Sequence, residues 1–170
     1  DSPYQSFSTF AGNPYFIDLE QLMELGYISK ADCEGVNFGT NPEYVDYGQM
    51  YANRFPILRR AYDAALSKGL QQEEGYRKFM EENAYWITDY ALYMAVKASF
   101  DNICWTEWDE DIRLRKPEAV QAYTEKYTYE MGFYYFQQYM FHIQWKELKE
   151  YANDNGIEIV GDIPIYVAFD

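Results

Sequence analysis

Acidic residues are the groups in this sequence best suited to proton transfer or nucleophilic chemistry. Two carboxylates about 5–5.5 Å apart can serve as nucleophile and acid/base when their surroundings separate their pKa values. Residues 107–111 contain four acids, but such a run is more typical of a solvated helix start, where acids favour the helix dipole. Asp162 is either a functional residue or a buried, hydrogen-bonded structural one. Asp170 ends a predicted strand, where sites of α/β proteins gather.

The other chemically reactive side chains form weaker patterns. His142 is the sole histidine, and its neighbours Phe141 and Ile143 favour structural packing on a helix. Cys33 and Cys104 lie far apart without metal-ligand spacing, so we expect reduced thiols in a reducing compartment. The sequence therefore predicts no metal site.

Aromatic residues make up 20% of the chain, with 19 tyrosines. Tyrosine and tryptophan offer an apolar face and a polar edge, which suits either sugar stacking or the filling of helix interfaces. The N-terminal residues 1–15 combine aromatics with Pro3, Gly12 and Pro14, a composition that disfavours a helix or a central strand. We expect an ordered loop facing a polar ligand, with Tyr4 as its strongest candidate. Trp105 and Trp108 are expected in a core at a helix junction.

Size and charge exclude several classes of protein. The chain has 170 residues, 48% of them hydrophobic, and a net charge of -14. This is enough for one sizeable core, while the acidic balance argues against nucleic acid and anionic membrane surfaces. No apolar run approaches the ~20 residues that span a bilayer. We expect a soluble, cytoplasmic protein; the sequence does not define its oligomeric state.

Helical periodicity and capping residues divide most of the chain into helices. Asp46 is a good N-cap for a long helix that Gly69 ends, and Pro56 inside it predicts a kink or a junction. Near the C-terminus we expect one buried stripe at heptad-like spacing, formed by Tyr134, Gln138, Phe141, Trp145, Leu148 and Ala152. The predicted helices cover residues 19–25, 30–34, 47–67, 72–82, 86–100 and 117–155, the last with a bend near residues 123–128.

Residues 157–167 differ in composition from the helices: the segment is short and rich in apolar, β-branched residues. They predict a buried strand of an α/β sheet. Because one strand does not make a sheet, its partners are expected outside the 170 residues. The sequence thus looks like a segment of a larger α/β barrel or sheet.

Four blocks of the sequence together resemble a known family of enzymes. They are DSPYQSFS (1–8) with AGNPY (11–15), VDYG (45–48) with RFPILRR (54–60), Trp86 with DYALYMA (89–95), and QQY (137–139) with QW (144–145) running into GDIPIYVA (161–168). The blocks resemble 4-alpha-glucanotransferases, also called amylomaltases or disproportionating enzymes, of glycoside hydrolase family 77. They follow the family's order and span nearly the whole chain.

The resemblance implies a fold and a reaction. It implies a mainly α segment, consisting of a helical insertion plus one or two strands of a TIM (β/α)8 barrel of the α-amylase clan. Residues 1–16 would be a substrate-cleft loop, residues 17–116 the helical insertion, and residues 117–170 a barrel helix with the following strand. The enzymes transfer an α-1,4-glucan segment to the 4-hydroxyl of another glucan by a retaining double displacement. No organic cofactor is implied, and the partners are maltooligosaccharides and other α-1,4-glucans.

The resemblance also assigns residues. Ser2 and Tyr4 would approach the glucan near the cleavage point, Asp170 would face the active site, and Tyr47 would belong to a second, more distant glucan site. In the family the nucleophile and the acid/base lie downstream of the motif that ends at Asp170. The 170 residues alone are therefore expected to contain no catalytic residue and to be inactive.

Two other interpretations stay open on the residues alone. One is a non-catalytic helical module that binds glycans or another protein. The other is a purely structural helical domain that resembles the family only through its core pattern.

Overall fold

The computed structural model describes residues 5–162 and 166–167, and these ranges are mainly helical. Short 3-10 turns at Pro14–Phe16, Lys30–Asp32, Leu70–Gln72 and Trp105–Glu107 connect the longer elements. The elements in chain order are β1 (Gln5–Ser6), α1 (Leu19–Glu24), α2 (Tyr47–Ser67), α3 (Glu74–Glu82), α4 (Ala84–Ser99), α5 (Glu110–Arg113), α6 (Pro117–Lys126), α7 (Thr128–Asp154) and β2 (Tyr166–Val167).

Helix α2 has the predicted bounds. The carboxylate of Asp46 accepts a hydrogen bond from the Gln49 amide at 3.0 Å, and Gly69 follows the helix with a left-handed φ of 87°, a conformation that glycine adopts readily. Pro56 lies inside the helix without dividing it. The next two residues, Ile57 and Leu58, are fully buried, and this packing holds the helix together across the missing N–H.

Helices α6 and α7 confirm the predicted break between residues 123 and 128, which falls at Tyr127. The expected stripe along α7 is wrong at Trp145 and Leu148, which are 42% and 55% exposed. The buried face instead includes Phe136, Met140 and Gln144, a spacing of four residues. Residues 136–140 are buried all around the helix, whereas residues 145–151 are exposed, so the predicted stripe extends beyond the part of α7 that other elements cover.

Two clusters of buried side chains form the interior. The first joins α2, α3 and α7 through residues such as Leu58, Phe79 and Phe136. The second joins α4, α5 and α7 and contains Trp108, whose ring stacks on Phe100 with centroids 5.8 Å apart and planes at 14°. The expectation that Trp108 belongs to a helix-junction core is confirmed.

Strands β1 and β2 pair in parallel, with Gln5 opposite Tyr166 and Ser6 opposite Val167. The predicted strand is wrong for residues 157–162, which have no regular secondary structure. Val160 there is 91% exposed. Within the described ranges no strand lies beside residues 157–162, and β-branched side chains alone do not form a strand without a packed neighbour.

None of the helices within residues 5–162 and 166–167 combines the length and the apolar composition of a membrane span. The same part of the chain brings no three His, Cys, Asp or Glu side chains together as metal ligands.

Candidate functional site

Four aromatic side chains form a half-exposed cluster, here called the ring group: Tyr15, Tyr47, Tyr51 and Phe55. The last three occupy successive turns of α2, where a spacing of four residues places them on one face. Tyr15 contacts Tyr47 and Phe55 with ring centroids 6.1 and 5.7 Å apart, and Tyr51 lies 5.3 Å from Phe55. Tyr47 and Tyr51 are 43% and 57% exposed, so the ring group presents aromatic faces to solvent.

The loop of residues 35–44 is attached to the same end of α2. The Asn53 amide donates to the Asn37 carbonyl at 2.8 Å and to the Gln49 side chain at 2.9 Å. Gly39 has a φ of 125°, and a Cβ there would lie 3.1 Å from the Asp46 side chain. Glycine therefore permits the loop to turn tightly against the cap of α2.

Gln138 of α7 binds the loop between β1 and α1, here called the opening loop. Its side-chain carbonyl accepts from the Gly12 amide at 2.7 Å, and its NH2 group donates to the Gly12 carbonyl at 3.0 Å. Gln138 is only 3% exposed, so these bonds satisfy an amide that would otherwise be costly to bury. We refer to this contact as the Gln138–Gly12 pair.

Gln144 repeats this arrangement at the end of the loop. It accepts from the Asp18 amide at 2.7 Å and donates to the Asp18 carbonyl at 3.1 Å. The Arg54 guanidinium of α2 donates to the Ile17 carbonyl beside it, and burial lowers the pKa of Arg54. Two helices thus fix the point where the loop enters α1.

The first part of the loop lies along α4. Phe10 stacks on Trp86 with centroids 5.9 Å apart and meets the edge of Tyr85 at 5.4 Å. The Lys97 ammonium lies 5.7 Å from the centre of the Phe7 ring. The loop therefore crosses from α4 to α7 and reaches the ring group at Tyr15.

The chemistry that the ring group offers is binding. Burial raises the pKa of Tyr15, and the neighbouring phenols of Tyr51 and Tyr47 raise it further. A neutral phenol both donates and accepts hydrogen bonds, and its ring stacks on apolar faces. The ring group contains no carboxylate or imidazole, so it offers no proton transfer near neutral pH.

Of the four substrate-binding residues predicted from the sequence, Tyr47 lies in the ring group. Ser2, Tyr4 and Asp170 fall outside the described residues, and the roles of all four residues stay predictions. Asp162 is exposed and lies in the irregular segment.

The other residues considered as candidates from the sequence lie at helix ends or pack against neighbouring side chains. Glu110 and Asp111 occupy the first turn of α5, as expected for acids at a helix start. His142 packs on Phe79 with ring centroids 5.0 Å apart. It lines an open groove of about 930 Å³ between α1, α3 and α7, where acids outnumber Lys78 and Lys146 and no predicted site residue is present.

Sequence reasoning missed Tyr15, Tyr51, Gln138 and Gln144 as parts of this site. Tyr47 and Tyr51 are one helical turn apart directly after an N-cap, which was an available signal. Gln138 was assigned to an apolar stripe, but a buried amide needs partners. Those partners lie 126 residues away in sequence, where no local pattern indicates them.

Comparison with known proteins gives a consistent result. The 4-alpha-glucanotransferase family of glycoside hydrolases matches residues 1–170. The 4-alpha-glucanotransferase of Clostridium butyricum is 47% identical over 170 residues, covering 100% of this chain and 34% of the relative. The enzyme of the same name from Thermus thermophilus is 42% identical over 171 residues, covering 100% of this chain and 33% of the relative.

A solved structure agrees in sequence and in fold. The amylomaltase from Streptococcus agalactiae in complex with acarbose superposes with a TM-score of 0.91 at 43% identity, covering 99% of this chain and 34% of that one. The chain thus spans about a third of the length of these relatives. It belongs to the 4-alpha-glucanotransferase family, glycoside hydrolase family 77.

Proposed function

We propose that the chain forms part of a 4-alpha-glucanotransferase that moves an α-1,4-glucan segment from one maltooligosaccharide to the 4-hydroxyl of another glucan or of glucose. Family membership over all 170 residues and identities of 42–48% to bacterial enzymes with this name support the proposal. The reaction would be a retaining double displacement through a covalent glycosyl-enzyme.

The observation that carries the proposal is the ring group. Tyr15, Tyr47 and Tyr51 place phenols with partly exposed faces beside a loop that four side-chain hydrogen bonds from α7 hold at two points. Glucans have apolar C–H faces and polar hydroxyl edges, which match rings of this type. The Streptococcus agalactiae amylomaltase, solved in complex with acarbose, supports the same ligand chemistry.

The remaining roles follow the family resemblance. Ser2 and Tyr4 would position the glucan near the cleavage point, Asp170 would face that point, and Tyr47 would bind glucan further away. The nucleophile and the acid/base would come from outside the 170 residues, and no organic cofactor would take part. The protein would act in the cytoplasm.

The proposed architecture is a TIM barrel of the α-amylase clan. Residues 1–16 would form a cleft loop, residues 17–116 a helical insertion, and residues 117–170 a barrel helix and strand. Parallel pairing of β1 with β2 supports this arrangement, because neighbouring barrel strands are parallel.

Product analysis tests the function. The full-length protein is incubated with maltotriose, and glucose and longer maltooligosaccharides are separated by chromatography. We expect a ladder of products from the full-length protein and none from the 170-residue chain. Full-length protein that binds maltoheptaose without forming a ladder would instead favour a non-catalytic glycan-binding module.

A further inference from the structure

Gly12 occupies a special point in the opening loop. Two residues before it, Phe10 stacks on Trp86; three residues after it, Tyr15 joins the ring group. Gly12 is bonded to Gln138 through both backbone groups. A Cβ at Gly12 would overlap the ring of Phe141, which follows Gln138 by three residues on α7. The Gly12 backbone is therefore held against α7 by two hydrogen bonds and by close packing.

The loop has a second attachment that does not depend on Gln138. Gln144 bonds both backbone groups of Asp18, and Arg54 bonds the Ile17 carbonyl. Ile17 itself is fully buried in the first core cluster. Loss of the Gln138–Gly12 pair would thus leave the segment between Phe10 and Tyr15 held to α7 by packing on Phe141 and loosen it, while α1 and the core stay attached.

We propose that Gln138 is a positioning residue for glucan binding, acting through Gly12 to hold Tyr15 against Tyr47. The proposal rests on the proposed function and adds a residue that need not touch the ligand. Its consequence is specific: substitution of Gln138 weakens glucan binding more than it slows the chemical step, because the ring group contributes no reacting atom.

Two substitutions of Gln138 distinguish a role in positioning the loop from a role in the stability of the whole protein. Gln138→Ala removes both hydrogen bonds. Gln138→Glu keeps the acceptor for the Gly12 amide, but its ionised form turns an oxygen toward the Gly12 carbonyl. Protonation restores a donor, and burial beside a carbonyl raises the pKa of a carboxyl. Gln121→Ala is the control, because Gln121 is exposed on α6 and its side chain donates to Glu125 at 2.9 Å, far from the opening loop in sequence.

The experiment uses full-length protein with maltoheptaose as substrate, and measures kcat and KM at about pH 8 and about pH 5.5, where a raised carboxyl pKa would be crossed. Amide hydrogen exchange of residues 8–16 is followed in the same samples. We expect Gln138→Ala to raise KM about tenfold, with kcat changed less than about threefold, and to speed exchange in the loop. Gln138→Glu should match this defect at the higher pH and recover at the lower one. Gln121→Ala should match wild type.

Three results would overturn the proposal. The first is a wild-type KM in folded Gln138→Ala protein. The second is a loss of activity in proportion to the loss of folded protein, as for a purely structural residue. The third is a Gln138→Glu protein whose KM, relative to wild type, does not recover at low pH. A wild-type protein that transfers no glucan would overturn the proposed function itself, and loop exchange in Gln138→Ala would still show whether the pair holds the loop.

Discussion

Gly12 lies directly on the ring of Phe141, and the two residues leave no room for a side chain between them. The contact joins the opening loop to α7 by packing, whereas Gln138 joins the same residue by hydrogen bonds. Glycine is required here because of this close approach. Its backbone φ is not positive, so the conformation itself would not exclude other residues.

Substitution of Gly12 by alanine should destabilise the protein by about 1–3 kcal/mol, because the added methyl group must displace Phe141 or the loop. Urea unfolding measures the change. Gly161→Ala is the control, since a Cβ at Gly161 meets no atom of the residues that the structure describes within 4 Å. Equal midpoints for the two variants would show that the loop accommodates the methyl group freely.

The cost should fall when Phe141 is made smaller. In Gly12→Ala/Phe141→Leu protein, we expect a loss smaller than the sum of the two single losses, because neighbouring residues that share a contact are not additive. A double-mutant cycle of unfolding free energies measures this coupling. Additive losses would mean that the two residues do not constrain one another.

Arg59 should resist replacement by lysine more than its neighbour Arg60 does. The Arg59 guanidinium lies 3.8 Å from the centre of the Phe133 ring and 2.6 Å from a Glu130 oxygen, and a lysine ammonium cannot stack as a plane. We expect Arg59→Lys to cost about 1 kcal/mol. Arg60 forms a more exposed ion pair with Asp32, so Arg60→Lys should cost less. A larger loss for Arg60→Lys in thermal melts would contradict this.

His142 should make stability depend on pH. His142 is an exposed residue, but its partial burial lowers its pKa, Lys146 lowers the pKa further, and Glu82 opposes both. A folded-state pKa below the unfolded value of about 6.5 means that the unfolded chain binds more protons. The contribution of His142 is therefore complete above about pH 6.5 and decreases as the pH falls through the folded pKa.

Unfolding free energies of wild-type and His142→Gln protein between about pH 5 and pH 8 measure this contribution. The variant should show a flatter profile over that range. A profile with the same slope in both proteins would exclude His142 as its source.

Exposed aliphatic residues after α7 should promote self-association of the 170-residue chain. Ile157 and Val160 are large, apolar and mostly exposed, and neighbouring exposed apolar residues favour association. Ile157→Lys/Val160→Lys protein should remain monomeric at higher concentration in sedimentation experiments. Leu114→Lys is the control, because Leu114 is similarly exposed but lies elsewhere on the surface. The control should change association less than the double variant.

Local signals in the sequence predicted helices well. Asp46 and Gly69 bracket α2 because a cap and a left-handed turn depend on adjacent residues. Residues 157–162 were predicted wrongly because a strand depends on a neighbour, which the sequence does not display.

The residues of the candidate site likewise differ in whether the sequence could indicate them. The family resemblance suggested Tyr47, and its role, like those of Ser2, Tyr4 and Asp170, stays a prediction. The contact of Tyr15 with Tyr47 and the bonds of Gln138 to Gly12 join distant parts of the chain. Such pairs follow from the packing of whole helices and cannot be derived from periodicity along one of them.

Transfer of labelled glucose tests the central claim most directly. Full-length protein is incubated with unlabelled maltoheptaose and isotopically labelled glucose, and the products are separated by length. A 4-alpha-glucanotransferase should place the label at the reducing end of maltose and longer maltooligosaccharides. Label that stays entirely in glucose, with or without hydrolysis of the maltoheptaose, would contradict the assignment.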